Sequence, residues 1–168
     1  MKLLFLLLVL LVALATSAQA IGWKLVNAKI RSEFPDVPRI STHELAAWLN
    51  DRTRPAPVLL DVRERAEFEV SHLRNALHVA PNAEAAVIAL PKEQPIVTYC
   101  SVGYRSGGFA QKLRDAGYKN VLNLEGSIFQ WANEGRPVFR AEVKVEKVHP
   151  YDRTWGLLLK KKLRATIQ

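Results

Sequence analysis

Residues 96–106, Ile-Val-Thr-Tyr-Cys-Ser-Val-Gly-Tyr-Arg-Ser, carry the local pattern from which the architecture of the chain is best predicted. The first four are apolar, aromatic or β-branched and predict a buried strand. The six residues from Cys100 to Arg105 then predict a tight loop, and after Ser106 apolar residues recur at helical spacing. A strand, a short loop and a helix N-terminus in this order form an anion-binding geometry, because unpaired N–H groups converge there and the helix dipole adds positive potential.

This loop has a cysteine at its start and an arginine at its end. Cys100 is the only cysteine of the chain, and a helix N-terminus with a nearby arginine favours the thiolate, which is the nucleophilic form. Arg105 can offer paired N–H donors to an oxyanion on a substrate. Most free cysteines are small buried apolar residues, but the strand end, the glycine and the arginine together favour a nucleophile here.

Three segments of the chain resemble the signatures of the rhodanese-type sulfurtransferase family. Residues 100–106 are similar to the active-site loop of that family. Residues 61–68, followed by 71–76, resemble its upstream signature, and residues 126–131 with 135–138 resemble its closing signature. Three turn positions depart from the glycine that is usual in the family: Ser71, Asn75 and Ser127.

The resemblance implies a rhodanese-like three-layer α/β fold, with a short, mainly parallel sheet flanked by helices. The residue pattern agrees, because short predicted strands alternate with predicted helices, as they do in βαβ units. Ligands of such sheets bind at the carboxyl ends of the strands. Asp61, Cys100 and Glu125 all fall at such ends, which predicts the site without reference to the family. At the first of these ends, Asp61 is expected to orient Arg63 or to cap the following turn.

The resemblance also implies sulfur transfer through a persulfide on Cys100. The thiolate would attack the sulfane sulfur of a small donor such as thiosulfate, and a thiol or cyanide would then accept that sulfur. Arg105 and Arg63 would hold the oxyanion end of the donor, and no cofactor or metal is expected. The predicted catalytic residues are Cys100 and Arg105, and the predicted substrate-binding residues are Arg63, Ser101, Val102, Gly103 and Tyr104.

Two other classes of function stay open at this point. A phosphatase or arsenate reductase of related fold also uses a cysteine, a loop and an arginine, and a non-catalytic module could carry a persulfide or bind a partner. The four residues between Cys100 and Arg105 are one fewer than in the phosphatases that resemble this fold. This shorter loop suits the single extra sulfur of a persulfide better than a phosphate ester, which has three non-bridging oxygens.

Other chemistries lack the residues that they need. One cysteine excludes a dithiol mechanism and an internal disulfide. The histidines lie far apart along the chain, without the close spacing of a zinc site: His43, His72, His78 and His149. A net charge of +8 is the only feature that suits nucleic acid, so no nucleic-acid binding is expected.

The chain divides into four predicted parts. Residues 1–20 have the charged start, apolar run and small-residue site of a signal peptide, so we expect cleavage near Ala20 and a secreted or periplasmic protein. The apolar run is short of the ~20 residues that span a bilayer, which favours cleavage over a retained anchor. Residues 21–38 predict an amphipathic helix and a stiff linker, residues 39–139 the rhodanese-like domain, and residues 140–168 a basic C-terminal extension.

Some elements of the domain and its extension are predicted from shorter patterns. Residues 83–90 predict a helix, and residues 143–146 alternate like an exposed edge strand. The extension predicts a solvated helix that packs Trp155 and Leu158 on the domain. The alternative is contact of its basic cluster, residues 160–164, with an anionic membrane surface or an acidic partner.

Overall fold

The computed structural model describes residues 19–167, and its central sheet contains five strands in these residues. These strands are β1 (Arg39–Ile40), β2 (Val58–Asp61), β3 (Leu77–His78), β4 (Ile96–Tyr99) and β5 (Val121–Leu124). Their order in the sheet is β1–β5–β4–β2–β3, and every pairing is parallel. The carboxyl ends of all five strands therefore meet at one edge, where parallel sheets bind their ligands.

Five α-helices lie around this sheet between residues 19 and 167. These helices are α1 (residues 19–33), α2 (Thr42–Asn50), α3 (Arg65–Val70), α4 (Tyr104–Asp115) and α5 (Ser127–Asn133). The amphipathic helix predicted after residue 20 is confirmed by α1, which buries Ile30. Ser41 and Glu44 form a capping box at the start of α2, which satisfies N–H groups that the helix leaves unpaired.

The core has two layers because side chains alternate along each strand. Val97 and Tyr99 of β4 belong to one hydrophobic cluster, which includes residues of α2 and α5. Ile96 belongs to a second cluster, which includes residues of α4. Both faces of the sheet are therefore covered, and β4 is buried along its whole length. This arrangement confirms the predicted three-layer α/β fold.

Two predicted helices are wrong. Residues 83–90 contain only one short 3₁₀ turn, Ala85–Val87. None of their side chains is fully buried, and a helix this short depends on tertiary packing for its stability. The C-terminal extension forms no α-helix among its described residues, but two 3₁₀ turns, Trp155–Leu158 and Lys161–Leu163. The predicted strand at residues 143–146 is confirmed.

That strand, β7 (Val143–Val145), pairs antiparallel with β6 (Val138–Arg140) in a small separate sheet. Beyond it, residues 148–165 form what we call the C-terminal strap. Val148, Leu158 and Leu159 of the strap are buried in the same cluster as α2 and α5. The strap is thus part of the core, as the sequence predicts for Leu158, and Trp155 packs against the same cluster.

The predicted signal peptide lies outside the described residues, apart from residues 19 and 20, which belong to α1. None of the helices between residues 19 and 167 combines the length and the apolar character that crossing a bilayer requires.

Candidate active site

Cys100 lies at the carboxyl end of β4, where the loop and α4 begin. Its side chain is buried, and the N–H of Gly103 donates a hydrogen bond to its Sγ over 3.1 Å. Gly103 is the N-cap of α4. Its φ is 111°, a backbone conformation that residues other than glycine rarely adopt. Both the N–H group and the positive end of the helix dipole stabilise negative charge on the sulfur.

Ser127, at the start of α5, holds the loop from behind. Its Oγ accepts a hydrogen bond from the Cys100 N–H over 3.1 Å and donates one to the Leu124 carbonyl over 3.0 Å. The next two N–H groups of α5 donate to the carbonyls of Cys100 and Ser101. The start of α5 therefore fixes the backbone of Cys100 and Ser101, whereas the start of α4 faces the sulfur of Cys100.

The turn positions that depart from the family's usual glycine differ in their backbone. Ser127 has a φ of 48° and Asn75 a φ of 59°, so both adopt the left-handed conformation that glycine takes at no cost. Ser71 has an extended backbone that any residue adopts. At Ser127 the strain comes with a hydrogen bond to Cys100 that glycine could not make.

Asn123 of β5 fixes the first turn of α4. Its Nδ2 donates to the Gly103 carbonyl over 2.9 Å, and its Oδ1 accepts from the Ser106 hydroxyl over 2.7 Å. All three residues are buried. The sequence analysis did not single out Asn123, although a polar residue within a short apolar strand was a signal for such a role.

Arg105 binds a carboxylate of the protein itself. Its guanidinium donates to both carboxylate oxygens of Glu67, over 2.7 and 2.9 Å, and to the Ser101 hydroxyl over 3.1 Å. The Ser101 hydroxyl in turn donates to Glu67 over 2.9 Å. The side chain of Glu67 is 2% exposed and that of Arg105 is 24% exposed. The positive charge predicted to hold a donor is therefore already paired.

The ionisation of this pair follows from its contacts. Burial raises the pKa of Glu67, but the hydrogen bonds and charge of Arg105, with the charge of Arg63, outweigh burial and hold that pKa below its usual value. Burial likewise lowers the pKa of Arg105, and its bonds to Glu67 and the charges of Cys100 and Glu67 hold it above its usual value. Both side chains are therefore charged at neutral pH.

Arg63 lies below the site instead of in it. Its side chain is 0% exposed and donates to both oxygens of Asp61, over 2.9 and 2.6 Å, and to the Ser71 carbonyl over 2.6 Å. The prediction that Asp61 orients Arg63 is confirmed. The predicted contact of Arg63 with the donor is corrected, because a side chain without exposed surface does not reach a ligand in the pocket.

A cavity of about 200 Å³ opens above the thiol. It is lined by Cys100, Ser101, Val102, Tyr104, Arg105, Tyr151 and Trp155. All of these except Tyr151 and Trp155 are residues that the sequence predicts for the site. The remaining predicted residue of the loop, Gly103, donates its N–H to the sulfur. The sequence analysis missed Tyr151 and Trp155, because they come from the C-terminal strap, beyond every family signature.

Burial favours the neutral form of two histidines. Burial lowers the pKa of His149, partly opposed by the negative charge of Glu67, and its Nδ1 accepts a hydrogen bond from the Tyr151 N–H. Burial also lowers the pKa of His72, whose Nδ1 lies 2.9 Å from the Phe139 carbonyl. Over residues 19–167 no three His, Cys, Asp or Glu side chains are grouped so that they could hold a metal ion.

Comparison with known proteins agrees with this geometry. The family model described as "Rhodanese-like domain" matches residues 41–134. The chain is 34% identical over 88 residues to the thiosulfate sulfurtransferase GlpE of Coxiella burnetii, covering 52% of this chain and 81% of that protein. It is 30% identical over 101 residues to the probable adenylyltransferase/sulfurtransferase MoeZ of Mycobacterium tuberculosis, covering 58% of this chain.

The chain spans only 25% of the length of MoeZ and about half of an uncharacterised protein of Synechocystis, 51%. Among solved structures it is similar to the Alr3790 protein of Anabaena, with a TM-score of 0.55 and 25% identity over 60% of this chain and 81% of that one. The fold of a thiosulfate sulfurtransferase of Pseudomonas aeruginosa is also similar, with a TM-score of 0.59 and 21% identity, over 72% of this chain and 23% of that one.

Proposed function

We propose that this chain, which belongs to the rhodanese-like domain family, is a sulfurtransferase that carries sulfane sulfur as a persulfide on Cys100. Sulfurtransferases are among its relatives. One of Allochromatium vinosum is 35% identical over 89 residues, which make up 80% of that protein. The observation that carries the proposal is the Cys100 thiol, which lies at the base of a cavity and accepts the Gly103 N–H at 3.1 Å.

In the first displacement the Cys100 thiolate attacks the terminal sulfur of the donor. The new Sγ–S bond forms as the donor's own bond to that sulfur breaks, and the bonding pair leaves with the rest of the donor. With thiosulfate the leaving group is sulfite, so charge balances without an added oxidant or reductant. The Gly103 N–H and the start of α4 stabilise the anion before and after this step.

In the second displacement an acceptor thiolate or cyanide attacks the outer sulfur of the persulfide. The S–S bond breaks, and its electron pair returns to Cys100 as the thiolate. No further group has to be oxidised or reduced in the cycle. Two displacements through a covalent intermediate give ping-pong kinetics.

The other residues of the site keep this thiol in place. Ser127 binds the N–H of Cys100, and the Glu67–Arg105 pair fixes the Ser101 side chain at the loop. We therefore assign positioning roles to Ser127 and Glu67. Arg105 would contact a donor only through the part of its side chain that Glu67 leaves exposed.

The exported location is a further part of this proposal, and it is supported by the signal-peptide pattern of residues 1–20 alone. Expression of the chain with residues 1–20 present, followed by N-terminal sequencing of the product found outside the cytoplasm, tests it: we expect a product that starts at Ile21. A protein that keeps residues 1–20 in the cytoplasmic fraction would contradict it.

Steady-state kinetics test the reaction class. We expect parallel double-reciprocal lines when thiosulfate and cyanide are varied, no transfer by Cys100→Ser, and negligible release of phosphate from aryl phosphates. A Cys100→Ser variant that still transfers sulfur would refute the proposal. Phosphate release that depends on Cys100 and exceeds sulfur transfer would assign the phosphatase class instead.

A further inference from the structure

The cavity above Cys100 is lined in part by aromatic residues, which contribute little to the binding of a small inorganic anion. We propose that Tyr151 and Trp155 make the site selective for sulfane-sulfur donors with an aromatic or other apolar organic group, over thiosulfate. This inference rests on the proposed sulfur transfer and names the class of its donor. The two residues lie outside the segment that matches the family, residues 41–134, so the selectivity belongs to this chain's own extension.

Three of the seven residues that line the cavity are aromatic. Tyr104 comes from the first turn of α4, while Tyr151 and Trp155 come from the C-terminal strap. Val102 adds an aliphatic residue to the lining. An aryl or alkyl group bound here would leave water for contact with these residues and would be stabilised by both burial and ring packing.

The charge of the cavity does not suit a dianion. Of the described residues that line it, only Arg105 is basic, and its guanidinium is paired with both carboxylate oxygens of Glu67. The Tyr151 ring lies over the same guanidinium, with its centroid 4.7 Å from Cζ. Thiosulfate would therefore lose its hydration without gaining an unpaired positive charge.

The strap is a fixed wall, because both of its ends are hydrogen-bonded. The Val148 N–H donates to the Leu163 carbonyl over 2.8 Å, and the Ala165 N–H donates to the Val148 carbonyl over 2.9 Å. Between them Asn133 of α5 donates to the Leu158 carbonyl over 2.7 Å and accepts from the Lys160 N–H over 2.8 Å. The backbone that carries the two aromatic residues is thus tied to the domain before a donor binds.

Tyr151 is held in an unfavourable backbone conformation. Its φ is 66°, in the left-handed region that a bulky L-residue rarely adopts, and its N–H donates to His149 over 3.1 Å. Strain of this kind persists where surrounding structure imposes it and is concentrated at functional sites. A glycine would adopt the same backbone without strain. The strain is therefore the cost of having a tyrosine side chain at this position of the cavity lining.

The donor class can be tested with three anions that deliver the same sulfur. In a thiosulfonate R–SO₂–S⁻ the Cys100 thiolate attacks the terminal sulfur, the S–S bond breaks, and a sulfinate R–SO₂⁻ leaves with the bonding pair. Benzenethiosulfonate and methanethiosulfonate have the same charge and differ in the ring, whereas thiosulfate has one more negative charge. Their kcat/KM values therefore separate the effect of the ring from that of charge.

We expect the wild type to favour benzenethiosulfonate over methanethiosulfonate by about tenfold in kcat/KM, and to use thiosulfate no better than methanethiosulfonate. Tyr151→Gly, which relieves the backbone strain, and Trp155→Ala should each reduce the benzene-to-methane ratio severalfold. The matched control is Leu157→Ala, which changes a residue of the same turn that is 63% exposed and does not line the cavity. It should leave the ratio unchanged.

A wild type that favours thiosulfate, or variants that keep the wild-type ratio, would overturn the proposed selectivity while leaving sulfur transfer intact. Failure of all three donors to place sulfur on Cys100 would overturn the proposed function itself, and this inference with it. Far-UV circular dichroism of Tyr151→Gly and Trp155→Ala checks that a changed ratio is measured on folded protein.

Discussion

Replacement of Glu67 by glutamine tests the buried pair that fixes the loop. Glu67 accepts hydrogen bonds from the Arg105 guanidinium, the Ser101 hydroxyl and the Glu64 N–H. Glutamine has nearly the same shape but no charge, and its amide nitrogen is a donor in a site where every neighbour is a donor. Arg105 then keeps its charge without a partner.

The structure sets the size of the effect. A hydrogen bond to a charged group contributes about 1.5–3 kcal/mol, and breaking a buried ion pair by removing one partner costs about 3–5 kcal/mol. Glu67 is 2% exposed, but Arg105 is 24% exposed and regains some hydration. We therefore expect Glu67→Gln to lower the free energy of unfolding by about 2–4 kcal/mol at neutral pH.

Urea unfolding at two pH values is the assay, because the sign of the pH dependence is fixed by the pKa shift. The pKa of Glu67 is lower in the folded protein than its usual 4.5, so its stabilisation is complete above that value and is lost as pH falls through the lowered pKa. Wild type and Glu67→Gln should therefore differ at pH 7 and converge in acid.

Glu69→Gln is the matched control for this experiment. Glu69 is on the same helix and exposed, and its ion-pair partner among residues 19–167 is the exposed Arg65, so its loss should change stability by less than about 0.5 kcal/mol. A Glu67→Gln variant as stable as Glu69→Gln would refute the reasoning. A difference from wild type that stays constant down to strongly acidic pH would refute it as well.

Three further predictions concern the loop and the strap. Ser127→Ala removes the acceptor of the Cys100 N–H, so we expect a loss of about 1–3 kcal/mol in urea unfolding and a lower kcat/KM; unchanged values would show that this bond does not hold the loop. Arg105→Ala leaves Glu67 charged and buried, so we expect it to cost about 3–5 kcal/mol of stability; a stable variant that merely uses thiosulfate poorly would restore a donor-binding role for Arg105. Removal of residues 148–168 uncovers the core that the strap buries, so thermal unfolding should lose its cooperativity or shift to lower temperature, and an unchanged transition would contradict the packing described.

The features that sequence reasoning predicted correctly depend on local patterns. The strand, loop and helix around Cys100 lie within 20 residues of one another, and strand ends follow from where apolar runs stop. Parallel pairing then brings the ends of β2 and β4 together, with Asp61 opposite Tyr99. The place of the site was predictable because the strand, loop and helix form a local pattern, and because strands that alternate with helices pair in parallel.

The features that were missed depend on contacts between distant residues. Arg105 has the same residue type whether it faces a substrate or the carboxylate of Glu67, 38 positions earlier. The aromatic residues of the strap gave no sign of which surface they cover, since Trp155 suits packing on any apolar face. Residues 83–90 had a helical pattern, but none of their side chains is fully buried against the rest of the fold, and only one 3₁₀ turn forms.

The mass of the intact protein after incubation with a sulfane-sulfur donor tests the central claim most directly. With benzenethiosulfonate, and to a lesser extent with thiosulfate, the account predicts a gain of one sulfur atom on the wild type. That gain should disappear on treatment with cyanide and should not occur with Cys100→Ser. A wild-type protein that gains no sulfur from any of the donors, or a Cys100→Ser variant that gains it equally, would contradict the account.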